Sequence, residues 1–172
     1  PLGGGSRLRM GLQPPPLFEV AEDVWGYRSL DATLMDRTGA GDSRDLGLRG
    51  DLPLAAGDVL RLAVMVGNGN GLRPESGTEA GKHIYAQLQL VPDDAPFRAT
   101  LGADVARSDP EGEPRTDAFK TSAFVGAVTD RFHGGIEGFY LRTTTDVPAA
   151  PEVDGFGVSV FGAVNLSART SL

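Results

Sequence analysis

The chain has no cysteine in 172 residues, so no disulfide framework, zinc finger or thiolate site is open to it. It has no apolar run near the roughly 18–20 residues that a membrane helix needs, which excludes helical spans. Cations are the minority: 16 Lys and Arg stand against 23 Asp and Glu, for a net charge of −7 and a pI near 4.8. No basic stripe offsets that balance, which argues against nucleic acid as a partner. Catalytic groupings are missing too. No Ser-His-Asp or Cys-His arrangement is visible, and His83 and His133 have no metal-ligand spacing. The sequence makes no case for an enzyme, a metal or a cofactor. It starts at Pro1 with neither Met nor a signal-type apolar segment, and so reads as an internal fragment of a longer protein.

What is present is a period of two. Across Lys82–Val91, Ile84, Ala86, Leu88 and Leu90 share one face, while His83, Tyr85, Gln87 and Gln89 share the other. The same split predicts strands over Ser6–Leu12, Asp45–Pro53, Val59–Gly67, Phe97–Ala106, Phe119–Thr129 and Phe132–Leu141. A further strand carries Phe156, Val158, Val160, Val164 and Leu166, and another is expected after Ser167-Ala168-Arg169. Pro14-Pro15-Pro16 ends the first strand. A helix is expected near Phe18–Leu34, inside a long connection over 14–44 that far exceeds the usual loop length.

Two regularities go beyond single strands. Connections alternate long and short, as in an up-and-down barrel with short turns on one side and long loops on the other. Phe97 and Phe132 stand beside short turns, and Phe119 and Tyr140 stand nearer long loops, as in two interfacial girdles. The expected fold is therefore all-β, an antiparallel up-and-down transmembrane β-barrel. Residues 1–172 form one partial domain of about eight strands, or an open curved sheet. The mean hydropathy of −0.14 does not oppose this, because half of each strand faces a polar interior. A soluble or surface β-sandwich that binds carbohydrate or protein shows similar alternation over any single strand, and is the alternative.

On the barrel reading the polar face lines a pore. Arg7, Arg9, Arg49, Arg61, Arg98 and Lys120 fall on it, with Asp45, Asp51, Asp104 and Glu137. A Lys or Arg on the lipid face would cost roughly 2–4 kcal/mol, so the register is strongly specified. Arg49, Arg61, Tyr85, Gln87, Arg98, Lys120 and Glu137 are the expected pore-lining residues. Two readings of the cations stay open. They bias the wall toward anions, or they pair with Asp104 or Glu137 across strands.

Short motifs along the chain resemble the phosphate-selective porin O and P family of Gram-negative outer membranes. They are Gly11-Leu12-Gln13-Pro14-Pro15, Val24-Trp25-Gly26-Tyr27-Arg28-Ser29-Leu30, Leu34-Met35-Asp36-Arg37, Ser43-Arg44-Asp45-Leu46-Gly47-Leu48 and Met65-Val66-Gly67-Asn68-Gly69. The resemblance implies an outer-membrane location in lipid, and a barrel of about sixteen strands that forms a homotrimer at full length. It implies a passive channel for small hydrophilic, anionic, phosphate-like solutes, needing no cofactor. It also implies an inward-folding constriction loop over 14–44 that carries Arg28, Ser29 and Arg37. No dense run of lumen arginines or lysines stands out, so phosphate selectivity itself does not carry over.

The remaining motifs are weak. Gly67-Asn68-Gly69-Asn70-Gly71 is glycine-rich but lacks the Lys-Ser/Thr and helix start of a phosphate-cradling loop. Asp93-Asp94 and Glu111-Gly112-Glu113 read as solvated turn charge, and Asn165-Leu166-Ser167 as a chance sequon at a strand end.

Overall fold

The computed structural model describes residues 5–27, 32–69, 81–109, 114–147 and 152–165. They form one antiparallel sheet of eight strands in sequence order. The strands are β1 Arg7–Gln13, β2 Asp45–Pro53, β3 Leu60–Gly67 and β4 Lys82–Leu90, then β5 Phe97–Ser108, β6 Thr116–Val128, β7 Phe132–Thr145 and β8 Val153–Val164. Each pairs only with its sequence neighbours, and among the described residues β8 and β1 do not meet, so the sheet is open. Two helices, α1 Pro16–Trp25 and α2 Leu34–Thr38, interrupt the β1–β2 connection. No described helix is long and apolar enough to cross a membrane.

The all-β, up-and-down expectation holds, and so does the split of faces. Leu88, Leu101, Val125 and Ile136 lie on the outer face, and Leu101 is 62% exposed. Arg49, Gln87, Gln89, Asp104 and Lys120 lie on the inner face and are buried, Arg49 with no exposure at all. This inverts the usual arrangement, in which apolar side chains go inside and unpaired charges stay out. The apolar outer surface runs across all eight strands, beyond the few hundred Å2 that a soluble monomer ordinarily exposes.

The connections β1–β2, β3–β4, β5–β6 and β7–β8 leave from one end of the sheet. The shorter turns after Pro53, Leu90 and Val128 close the other end. β1 runs one residue past its expected limit, and three strands extend further at the long-loop end, since β5 continues to Ser108, β6 starts at Thr116 and β7 continues to Thr145. The reason is chemical. At that end Arg107, Asp117 and Arg142 occupy outward positions and interrupt the apolar face without interrupting the ladder.

The single helix expected near Phe18–Leu34 is replaced by α1 and α2, and residues 28–31 lie outside the described set, as do Leu166 and the strand expected after Arg169. Pro16 opens α1, where a missing N–H costs nothing and the fixed φ suits the first turn. Gly26 closes it at φ 68°, donating its N–H to the Glu22 carbonyl.

Gly47 shows how tightly the β2–β3 seam is built. A Cβ there would lie 2.2 Å from the Val66 carbonyl oxygen and 2.9 Å from Gly67 Cα, both backbone atoms that side-chain motion cannot relieve. Gly47→Ala is expected to destabilise the folded protein by about 1–3 kcal/mol, measured as a lower urea midpoint. An unchanged midpoint would mean that the seam is looser than described.

Candidate functional site

The inner face is where polar chemistry collects, and α1 is seated on it. The helix is amphipathic. Leu17, Phe18, Val20, Ala21 and Val24 are buried, while Glu19, Glu22 and Asp23 make its acidic side. Two apolar clusters hold it. Leu17 and Phe18 join Met35, Met65 and Tyr85, and Val20, Ala21 and Val24 join Phe124, with Phe161 packed alongside. Met65, Phe124 and Phe161 are large inward apolar residues on a mostly polar wall, and the helix accounts for them. Gly102 leaves the room needed, because a Cβ there would meet Leu17 Cδ2 at 2.3 Å.

Charge fastens the helix to β1 and β2. Arg49 donates to Asp51 Oδ1 through Nε at 2.8 Å, to the Pro14 carbonyl at 3.3 Å, and to Glu19 through Nη2. Arg9 bridges the same carboxylates, reaching Asp51 Oδ2 at 2.7 Å and Glu19 Oε1 at 3.1 Å. Two guanidiniums and two carboxylates thus neutralise one another under the helix. Arg44 ties the return segment back to α1 through Glu22 at 3.2 Å.

The other expected pore residues sort by partner. Lys120 Nζ lies 3.3 Å from Asp104, and His83 Nδ1 lies 3.1 Å from the same carboxylate. The cross-strand alternative is therefore what the geometry gives for Lys120. Tyr85 donates to Asp45 at 3.0 Å, and Asp45 also accepts from the Gly69 amide at 3.0 Å. Gln89 donates to Gln87 at 2.8 Å. Glu137 pairs with no cation among the described residues; it accepts from the Leu34 amide at 2.6 Å and holds the start of α2 against β7.

Arg61 pairs with Asp58 at 2.6 Å, close to a short turn. Arg98 donates to the carbonyls of Pro92, Ala95 and Phe97 at 2.7–2.9 Å. Of the expected constriction residues, Arg37 lines the inner face near Glu137, whereas Arg28 and Ser29 lie outside the described residues.

Two of the cavities beside the helices are roomy enough to matter. One of about 450 Å3 opens between α1 and the short-turn end, where Arg7, Arg61 and Arg98 look across at Glu19 and Asp23. Burial first, and then the neighbouring Glu19, push the Asp23 carboxyl above its ordinary value. The second, of about 350 Å3, lies between α2 and the β7–β8 wall and is lined by Arg37, Glu137 and Ser159. No group of histidine and acidic side chains among the described residues is arranged to hold a metal. His133 instead lies 3.0 Å from the Val24 carbonyl and 4.9 Å from the Tyr27 ring.

The sequence reading puts mild positive charge on the wall because it counts strand residues alone. Glu19, Glu22 and Asp23 of α1 face the same space and cancel that excess at mid-height. Comparison of the chain with protein-family models, curated proteins and solved structures finds no match.

Trp25 is the only tryptophan in the chain, and it packs edge-on against Phe161 at 5.1 Å. Its emission therefore reports whether α1 is seated. Glu19→Ala removes one carboxylate from a fully buried guanidinium, a change that costs roughly 3 kcal/mol or more in such settings. The expected result is a red-shifted Trp25 emission with greater acrylamide quenching while β-sheet circular dichroism is retained. Wild-type emission in the variant would show that charge does not hold the helix.

Proposed function

We propose that the sheet is part of the wall of an outer-membrane β-barrel, and that its inner face lines a passive channel for small hydrophilic solutes. One observation carries the reading: charges and amides are buried on the inner face while large apolar side chains cover the outer face of every strand. In water that arrangement is unfavourable at each outward leucine and valine. In lipid the same side chains are in their preferred solvent, and every ladder hydrogen bond is made within the wall.

Three further features support it. Strands β4–β8 have 9 to 14 residues, enough for the roughly 9–11 that cross a hydrocarbon layer when tilted. Long loops and short turns segregate to opposite ends. Phe97 and Phe132 stand at the short-turn border of the outer face, with Phe119 and Tyr140 toward the other border. The resemblance to the porin O and P family points the same way. A soluble sandwich would need a second sheet over the apolar face, and the described residues contain none.

Segment 14–44 then acts as the constriction. It leaves the wall at Gln13, crosses the inner face as α1, and rejoins at Asp45, directly opposite Gln13 in the ladder. Mid-height charges are paired, so selectivity comes from the short-turn mouth, where Arg61 is held by Asp58 but Arg7 and Arg98 have no carboxylate partner among the described residues. The expected preference is for anions, and it is weak.

The full-length protein in planar bilayers is expected to give discrete conductance steps, with reversal potentials in a salt gradient that favour anions. Arg98→Glu together with Arg61→Glu should shift those potentials toward cations. A full-length protein that stays monodisperse without detergent and never conducts would sink the proposal, and a cation-selective wild type would remove the anion assignment.

The outer face supplies a separate check. Leu101→Arg at mid-height should cost about 2–4 kcal/mol of folding stability in lipid vesicles. At a water-exposed position the same change stays within about 0.5 kcal/mol. A neutral outcome would mean that this face does not meet hydrocarbon.

A further inference from the structure

The outer face changes character abruptly at its long-loop end. Ile84, Val105 and Phe119 form one outward rung across β4, β5 and β6, and all three are exposed. The next outward rung, two residues along and so about 7 Å higher, is Lys82, Arg107 and Asp117. Arg142 of β7 stands opposite Phe119 and completes the edge. Between the two rungs lies an open groove of about 550 Å3, with an apolar floor and a charged upper lip.

The lip is unbalanced. Its cations are Lys82, Arg107 and Arg142, and Asp117 is the one carboxylate among the groove residues. Asp117 is moreover shared, since it accepts from Arg107 at 2.8 Å and from Arg115 at 2.7 Å. Arg107 spends its Nε on that bond and keeps 63% of its side chain exposed. Arg142 is turned toward Asp154 at 3.0 Å and Glu152 at 3.9 Å, neither of which lines the groove, and is 49% exposed. Lys82 reaches the Asn68 side-chain Oδ1 at 2.7 Å, a neutral partner, and meets no carboxylate among the described residues.

We propose that this groove binds a phosphate-bearing lipid of the surrounding leaflet, with acyl chain on the Ile84–Val105–Phe119 floor and phosphate under Lys82, Arg107 and Arg142. The proposal rests on the membrane reading above. Two features select a lipid over a free anion. The floor is continuous with the apolar face that the reading immerses in hydrocarbon, with Lys82 and Arg107 one rung above it and Arg142 at its edge beside Phe119, at headgroup height. The guanidinium forks of Arg107 and Arg142 suit phosphate oxygens, and the ammonium of Lys82 adds a point charge. None of the three lies on the pore side, so the groove is independent of conduction.

Native mass spectrometry of the full-length protein in detergent tests this with bisphosphorylated lipid A and with the same lipid stripped of its phosphates. The wild type should retain the bisphosphorylated form selectively. Lys82→Ala, Arg107→Ala and Arg142→Ala should each weaken retention about fivefold, and together about a hundredfold, while single-channel conductance stays at the wild-type level. Arg107→Lys should keep most of the retention that Arg107→Glu loses, which separates charge from fold. Equal retention of the stripped lipid, equal retention by the triple variant, or full displacement by millimolar inorganic phosphate would each overturn the lipid assignment. If conductance is normal when that happens, the inference fails alone. If the protein neither needs detergent nor conducts, the membrane reading falls and takes the groove with it.

Discussion

Arg49 is a guanidinium without solvent exposure, on a wall whose neighbours are short strands and glycines, and the inner assembly depends on keeping it supplied with oxygen atoms. A buried charge left unpaired costs several kcal/mol, more than any single apolar contact nearby returns. Its partners come from three places: Asp51 on its own strand, the Pro14 carbonyl where the chain leaves β1, and Glu19 on α1. Only when α1 lies against the wall are all three in reach. The helix is held there by the apolar seat of Met65, Tyr85 and Phe124. Charge and packing thus specify the same position from two sides, which gives a long insertion one seat.

The distribution of charge follows from that seat. At mid-height the inward strand cations among the described residues are matched: Arg49 and Arg9 by Asp51 and Glu19, and Lys120 by Asp104. Imbalance survives only where water is near. Inside, it is at the short-turn mouth; outside, it is the lip above the last apolar rung. The two surpluses lie on opposite faces and at opposite ends of the wall, so solute and lipid would meet different parts of it. Pairing at mid-height also explains why an acidic chain can present cationic edges. Apart from Asp117 and Asp154 on the outer face, its carboxylates are used inside or lie in the connections.

The strands were legible in the sequence because the charges obey the period of two without exception through the middle of the sheet. Asp45–Pro53 is recovered at both ends, and Lys82–Leu90 differs by one residue. Legibility fails where the face stops being apolar, at Arg107, Asp117 and Arg142, since a charge in the outward register breaks the apolar–polar alternation. It fails again at Pro14-Pro15-Pro16. Proline there ends a strand and starts a helix in consecutive residues, and only the first role is read locally. The seat for α1 had a signal in Met65, Phe124 and Phe161, large apolar residues on the polar face, but their partner lies far off in sequence. The pairing of Arg49 with Glu19 was invisible for the same reason, so the acidic side of α1 did not enter the charge read for the inner face.

The edges of the sheet press the argument one step further. β8 carries its outward row of Phe156, Val158 and Val160 to the margin, with Phe156 84% exposed, and has no lysine, proline or bulge to blunt it. β1 does the same with Leu8 and Met10. Proteins that leave an edge open to water protect it; these edges are prepared for pairing. In hydrocarbon each unpaired backbone group costs several kcal/mol, so on the proposed reading neither edge can remain as it stands. The wall must continue on both sides, through further strands of the same chain or another copy. Only when it closes does the surface beside α1 become a lumen, and the width left there is what sets the size of a solute that can pass.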